Sequence, residues 1–108
     1  MTDKPETPVT IDPQNCQNMV EVRAGVDAVD RALVGLLARR FGYMDAAARI
    51  KPTRDAVRDE ARKQQVISNV LAEAEPLGLP EALIAELWET LVEGSIAYEL
   101  KRWDDQRV

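Results

Sequence analysis

The stretch NCQNMVEVRAGVDAVDRALVGLLARRFGYMDAAARI, residues 15–50, decides the fold of this chain. Its apolar side chains recur at steps of three and four residues, which is the spacing of one face of an α-helix. Pro52 follows, and the residue before a proline is disfavoured in helical geometry, so one long helix is predicted to end at about Ile50. The predicted face contains Val22, Val26, Val29, Leu33, Leu36, Leu37, Arg40, Met44, Ala47 and Lys51.

The rest of the chain predicts two shorter helices. Residues 52–59 are expected to form a loop, and Asp59 and Glu60 are expected to begin a second helix. That helix should end before residues 76–80, which include two prolines and a glycine, and a third helix should begin at about Glu81. Because no stretch alternates with a period of two, the predicted fold class is all-α with three helices.

Length and composition restrict the class of protein. The 108 residues suffice for about one domain, with a flexible lead-in expected over residues 1–14 and a helical domain over residues 15–108. Nineteen acidic residues outnumber fourteen basic ones, which argues against binding nucleic acid through a basic face. No secretory pattern and no run of membrane-spanning length are present, so we expect no membrane role and a cytoplasmic location.

The residue types that are missing exclude several kinds of chemistry. The chain has no histidine and a single cysteine, Cys16. The usual general base, the usual zinc ligand and every Ser/His or Cys/His nucleophile pair are therefore excluded. We expect neither a metal nor a cofactor.

The length of the first helix predicts an oligomer. About 35 residues make a rod of roughly 50 Å, whereas a compact domain of this size has a radius of gyration of about 13 Å. One chain cannot cover the whole apolar face of such a rod. We therefore predict a homodimer in which helices of the two chains are intertwined.

Two cations lie on the apolar face of this helix. At about 100° per residue, Arg40 and Lys51 point within about 20° of each other, roughly 16 Å apart along the axis, so both can enter one pocket. A structural alternative remains open, with Arg40 at the edge of the core and Lys51 capping the helix C-terminus. Arg23 lies about 100° away and roughly 25 Å from Arg40, so it can serve such a pocket only in a partner chain.

Four polar residues of the shorter helices complete the candidates. Asp59 and Arg62 lie one turn apart on the second helix, and Ser95 and Glu99 lie one turn apart on the third. Helix capping by Asp59, a surface ion pair of Arg62 and close packing at Ser95 are the structural alternatives. Glu99 has large apolar neighbours, among which a carboxylate is unfavourable unless it is paired or protonated.

In this order and spacing, these residues resemble the all-helical chorismate mutases and their close relatives, the isochorismate pyruvate lyases. The likeness covers roughly residues 19–103 and depends on VRAGVDAVD, LLARR, Lys51, DEAR and SIAYE. It implies an intertwined homodimer that binds chorismate, a small dicarboxylate, and converts it to prephenate for aromatic amino acid biosynthesis without a cofactor. The alternatives are isochorismate pyruvate lyase activity and a non-catalytic helical dimerisation module.

The resemblance also implies a role for each candidate. Arg40 of one chain, Arg23 of the other and Arg62 would bind the carboxylates of the substrate. Lys51 would donate to the ether oxygen, and Glu99 stands where a second donor to that oxygen is expected. Because only a protonated Glu99 could donate, the activity is expected to decline as the pH rises.

The remaining implied roles concern the ring of the substrate, and some positions differ from the pattern of the mutases or the lyases. The resemblance places Asp59 near the ring hydroxyl and Ser95 near the ring carboxylate. Mutases often have a glutamate directly after the position of Arg62, where this chain has Lys63. In the lyases an aromatic residue commonly replaces Ser95 and a glutamine replaces Glu99, so these two residues favour the mutase.

Overall fold

The computed structural model describes residues 10–107, and the chain divides into two units, Met1–Arg39 and Arg40–Val108. No strand occurs between residues 10 and 107, so the prediction of an all-α fold with one long and two shorter helices is confirmed. The three helices are α1 (Met19–Ile50), α2 (Glu60–Ala74) and α3 (Glu81–Asp105).

The start of α1 is fixed by two side chains. The helix begins at Met19, later than the predicted start. The backbone N–H of Glu21 donates to Oδ1 of Asn18 at 2.9 Å, and the Glu21 side chain accepts from the backbone N–H of Gln17 at 2.8 Å. This reciprocal capping satisfies donors that have no partner within the helix, so the chain becomes helical only after Asn18.

Much of the apolar surface of the first unit is exposed in the single chain. Val29, Leu33 and Leu36 on α1 are 58%, 51% and 61% exposed in the single chain. A short 3-10 turn over Pro13–Asn15 precedes the helix. Residues 1–9 of the predicted lead-in lie outside the described residues, and the division at residue 14 stays a prediction.

The second unit contains the end of α1, a 3-10 turn over Arg54–Val57, α2 and α3. Helix α3 packs against both α2 and the turn. The centre of the core is formed by Val57, Val92 and Ile96. Four partly buried apolar side chains surround this centre: Val66, Trp88, Leu100 and Trp103.

Local signals fix the ends of α2. Asp59 caps its N-terminus, because Oδ1 accepts the backbone N–H of Arg62 at 2.9 Å. After Ala74 the chain turns through Gly78, whose φ of 69° lies in the left-handed region that glycine tolerates best. Between residues 10 and 107, no helix has both the length and the apolar character of a membrane span.

Candidate active site

One cavity in the second unit is lined by most of the predicted site residues. Its volume is about 360 Å³, within the range of cavities that bind small molecules. It is bounded by the C-terminal end of α1, the following segment, α2 and α3. Six of the predicted residues line it: Arg40, Lys51, Asp59, Arg62, Ser95 and Glu99.

The rest of the cavity wall is mainly apolar. Ala56 and Val57 come from the segment that the sequence predicted only as a loop, and the hydrophobic periodicity gave no signal for them. The other lining residues are Met44, Ala47, Lys63, Val66, Val92 and Ile96. Polar groups therefore reach a ligand from a few defined positions.

Arg40 is oriented by a buried serine. Its Nη1 donates to Oγ of Ser95 at 2.6 Å, and Oγ donates in turn to the carbonyl of Leu91 at 2.7 Å. Burial lowers the pKa of Arg40, and the positive charge of Arg62 lowers it further. The guanidinium nevertheless stays charged at neutral pH and has four more N–H donors for a ligand.

Lys51 and Glu99 form an ion pair on the cavity wall. The Lys51 Nζ lies 2.8 Å from Oε2 of Glu99, and it donates to the carbonyl of Val57 at 3.4 Å. The side chain of Glu99 is only 6% exposed and that of Lys51 is 30% exposed. The approach of the ammonium lacks hydrogen-bond geometry, so Oε2 accepts no hydrogen bond from residues 10–107.

Asp59 and Arg62 play structural parts besides lining the cavity. The Asp59 carboxylate is the N-cap of α2, which matches the structural alternative proposed for it. The Arg62 guanidinium donates to Oε1 of Gln65 at 2.6 Å. Because Gln65 is neutral, this contact orients the guanidinium without neutralising its charge.

Lys63 also lines the cavity, and two carboxylates that do not line the cavity balance its charge. Its Nζ lies 2.7 Å from a carboxylate oxygen of Glu89 and 2.9 Å from one of Glu93. Hydrogen bonds to these two carboxylates raise the pKa of Lys63. Arg58 binds Glu93 as well, and hydrogen bonds from Arg58 and Lys63 lower the pKa of Glu93 to about 2. The sequence identified Lys63 only as a departure from the mutase pattern.

The seventh predicted residue, Arg23, belongs to α1 in the first unit, and its assignment to a partner's site stays a prediction. That unit has a separate cavity of about 460 Å³, which is lined mainly by apolar side chains together with Asp12 and Asp30. No basic residue is among its described lining residues. It is therefore unsuited to an anion.

The cavity of the second unit suits a small anionic ligand. Arg40, Lys51 and Arg62 offer N–H donors to it, and the Glu99 carboxylate lies beside one of them. Within residues 10–107, no group of three or more His, Cys, Asp or Glu side chains is arranged to hold a metal ion. The three cations can bind an anionic ligand and stabilise negative charge that develops on it.

Comparison with known proteins identifies the class. Residues 22–100 match the family chorismate mutase type II, and the chain belongs to that family. It is also 27% identical over 95 residues to an isochorismate pyruvate lyase of Pseudomonas aeruginosa, with 88% of this chain and 94% of the relative covered. The resemblance seen in the sequence is confirmed, and the two matches carry the names of two different reactions.

Proposed function

We propose that this protein is a chorismate mutase, which rearranges chorismate to prephenate. The observation that carries the proposal is the meeting of Arg40, Lys51 and Arg62 in one cavity of suitable volume, in a chain of the chorismate mutase type II family. A non-catalytic dimerisation module would have no need for three cations around one cavity. This grouping therefore supports an enzyme.

The arginines bind the substrate in its reactive shape. A planar guanidinium can grip a carboxylate through two N–H donors, so Arg40 and Arg62 are suited to the two carboxylates of chorismate. Ser95 fixes the direction of Arg40 before the substrate arrives. Holding the substrate in its compact conformer removes much of the entropic part of the barrier.

Lys51 stabilises the transition state. In the rearrangement the ether C–O bond breaks while a new C–C bond forms, and no proton enters or leaves. Negative charge grows on the ether oxygen, and the Lys51 ammonium stabilises it through a charged hydrogen bond. To do so, Nζ turns from Glu99 towards the substrate.

The charge of Glu99 is the proposed source of a dependence of the rate on pH. Once Lys51 serves the substrate, a neutral Glu99 donates the second hydrogen bond to the ether oxygen, whereas a charged one repels it. We expect the wild-type rate, assayed from pH 5 to pH 8, to decline as the pH rises. Glu99→Gln, which is neutral at every pH, should give a flat profile, and a flat wild-type profile would contradict this role of Glu99.

We further propose a homodimer in which each site receives Arg23 from the other chain. The exposed apolar face of α1 in the first unit supports a second copy as its cover. Asp59 is assigned to the neighbourhood of the ring hydroxyl. Replacement of Arg23 by Ala should then weaken substrate binding without dissociating the dimer.

The second candidate is isochorismate pyruvate lyase. There the ether C–O bond breaks while a ring hydrogen passes to the methylene carbon of the enolpyruvyl group, giving salicylate and pyruvate. The identity to the Pseudomonas aeruginosa lyase supports this reaction. Ser95 and Glu99 favour the mutase, because the resemblance predicts an aromatic residue and a glutamine there in a lyase.

Separate assays with chorismate and with isochorismate decide between the reactions. We expect prephenate from chorismate, and a loss of about 10²- to 10³-fold in kcat for Lys51→Met, because the donor to the ether oxygen is removed. Lys101→Met is the matched control, since Lys101 is 78% exposed and, within residues 10–107, forms an ion pair only with Asp105 on its own helix. Salicylate and pyruvate from isochorismate, without prephenate from chorismate, would refute the mutase.

A further inference from the structure

Lys51 stands where α1 ends, and its backbone there has few partners within the helix. Its N–H donates to the carbonyl of Ala47 at 2.9 Å. The last carbonyls of any helix lack intrahelical donors, and Pro52 has no N–H to offer. The orientation of Lys51 therefore depends on donors from elsewhere in the fold.

Those donors come from the C-terminal end of the chain. Nη1 of Arg107 donates to the carbonyl of Ala48 at 3.0 Å, and Nη2 donates to the carbonyls of Arg49 at 3.4 Å and Lys51 at 2.8 Å. The indole N–H of Trp103 donates to the same Lys51 carbonyl at 3.0 Å. The guanidinium also lies over the Trp103 ring, 4.2 Å from a ring centroid.

Both ends of Lys51 are thereby attached to one side of α3 and its extension. Glu99, Trp103 and Arg107 follow each other at steps of four residues, which places them along one side of a helix. Glu99 pairs with the ammonium, while Trp103 and Arg107 bind the backbone carbonyl. The side chain of Lys51 thus extends from a fixed origin.

We propose that Arg107, supported by Trp103, is a positioning residue for Lys51. The inference rests on the proposed function in that Lys51 is the donor to the reacting oxygen. Without Arg107, the carbonyls of Ala48 and Arg49 lose the guanidinium as a donor, and the Lys51 carbonyl keeps the indole N–H of Trp103 but loses the shorter of its two hydrogen bonds. The origin of the Lys51 side chain then shifts. The carboxylates of the substrate are bound by other residues, so its affinity should change little.

The kinetic test compares Arg107→Ala and Arg107→Lys with the wild type. Because misplacing a reacting group by about 1 Å can lower a rate 10²-fold, we expect kcat to fall about 10- to 100-fold in Arg107→Ala, with KM changed less than about 3-fold. Arg107→Lys retains the positive charge at the end of α1 and should fold, but it lacks the planar fork, so kcat should still fall. Lys101→Ala, which removes a neighbouring charge without touching α1, should keep the wild-type kcat.

A second readout does not require turnover. The chain has four lysines, so reductive methylation with ¹³C-formaldehyde gives few NMR signals, and Lys51→Arg identifies that of Lys51. In Arg107→Ala this signal should move towards the position of a free lysine, while the signal of Lys63 stays in place. If the Lys51 signal moves in Arg107→Ala but the wild type turns over neither chorismate nor isochorismate, the positioning role of Arg107 stands and the proposed function is refuted. An unchanged Lys51 signal, or an unchanged kcat in both Arg107 variants, would overturn the inference.

Discussion

Replacing Lys51 should lower the unfolding free energy more than replacing Glu99, its partner in the buried ion pair. In Lys51→Met the Glu99 carboxylate stays buried at 6% exposure and loses its counter-charge. Removing one partner of a buried pair costs about 3–5 kcal/mol, so we expect about 3 kcal/mol of lost unfolding free energy. In Glu99→Gln the ammonium remains 30% exposed, as in the wild type, and keeps the Val57 carbonyl, so the loss should be about 1 kcal/mol.

Urea unfolding measures this difference directly. The wild type and both variants are compared at pH 7 and one protein concentration, since the stability of an oligomer depends on concentration. Lys101→Met should change the unfolding free energy by less than about 0.5 kcal/mol, because its ion pair is exposed. Equal losses in the two variants, or a larger loss in Glu99→Gln, would refute the view that Lys51 compensates a buried charge.

Three further predictions follow from other contacts. The low pKa of Glu93, about 2 against an ordinary 4.5, stabilises the fold above pH 4.5 and progressively less as the pH falls towards 2. Glu93→Gln should therefore flatten the acid unfolding curve in that window, and an unaltered curve would contradict the contact. Ser95→Ala removes one hydrogen bond of Arg40 worth about 1 kcal/mol, so dicarboxylate affinity by calorimetry should fall about 5-fold; an unchanged affinity would exclude orientation by Ser95. Leu33→Glu places a charge on the exposed apolar face of α1 and should convert the proposed dimer to a smaller species in size-exclusion chromatography, unless that face is no interface.

The sequence predicted the helices and the grouping of the site better than it predicted the contacts within the site. The period of the apolar residues and the stop at Pro52 were sufficient for α1, because both act locally. Its start was predicted too early, since the capping by Asn18 and Glu21 overrides the helical pattern that continues before it. Arg40 and Lys51 line one cavity because a regular helix fixes their relative direction.

The contacts that depend on distant parts of the chain had no periodic signal. The hydrogen bond from Arg40 to Ser95 joins residues 55 positions apart, and that from Arg107 to Ala48 joins residues 59 apart. The position of Trp103 on α3 likewise gave no signal for its hydrogen bond to the Lys51 carbonyl, 52 positions away. Such pairs form only after packing has set the distance between α1 and α3.

The two surface carboxylates that bind Lys63 partly determine how much positive charge the cavity presents to a ligand. Glu89 and Glu93 are more than a third exposed, whereas the Lys63 side chain between them and the ligand space is 11% exposed. Neutralising Glu89 or Glu93 would leave more of the Lys63 charge unbalanced at the cavity wall, while the shape of the cavity stays the same. The preference of the cavity for more or less anionic ligands can therefore be changed, by engineering or by evolution, through residues that are not among those lining it.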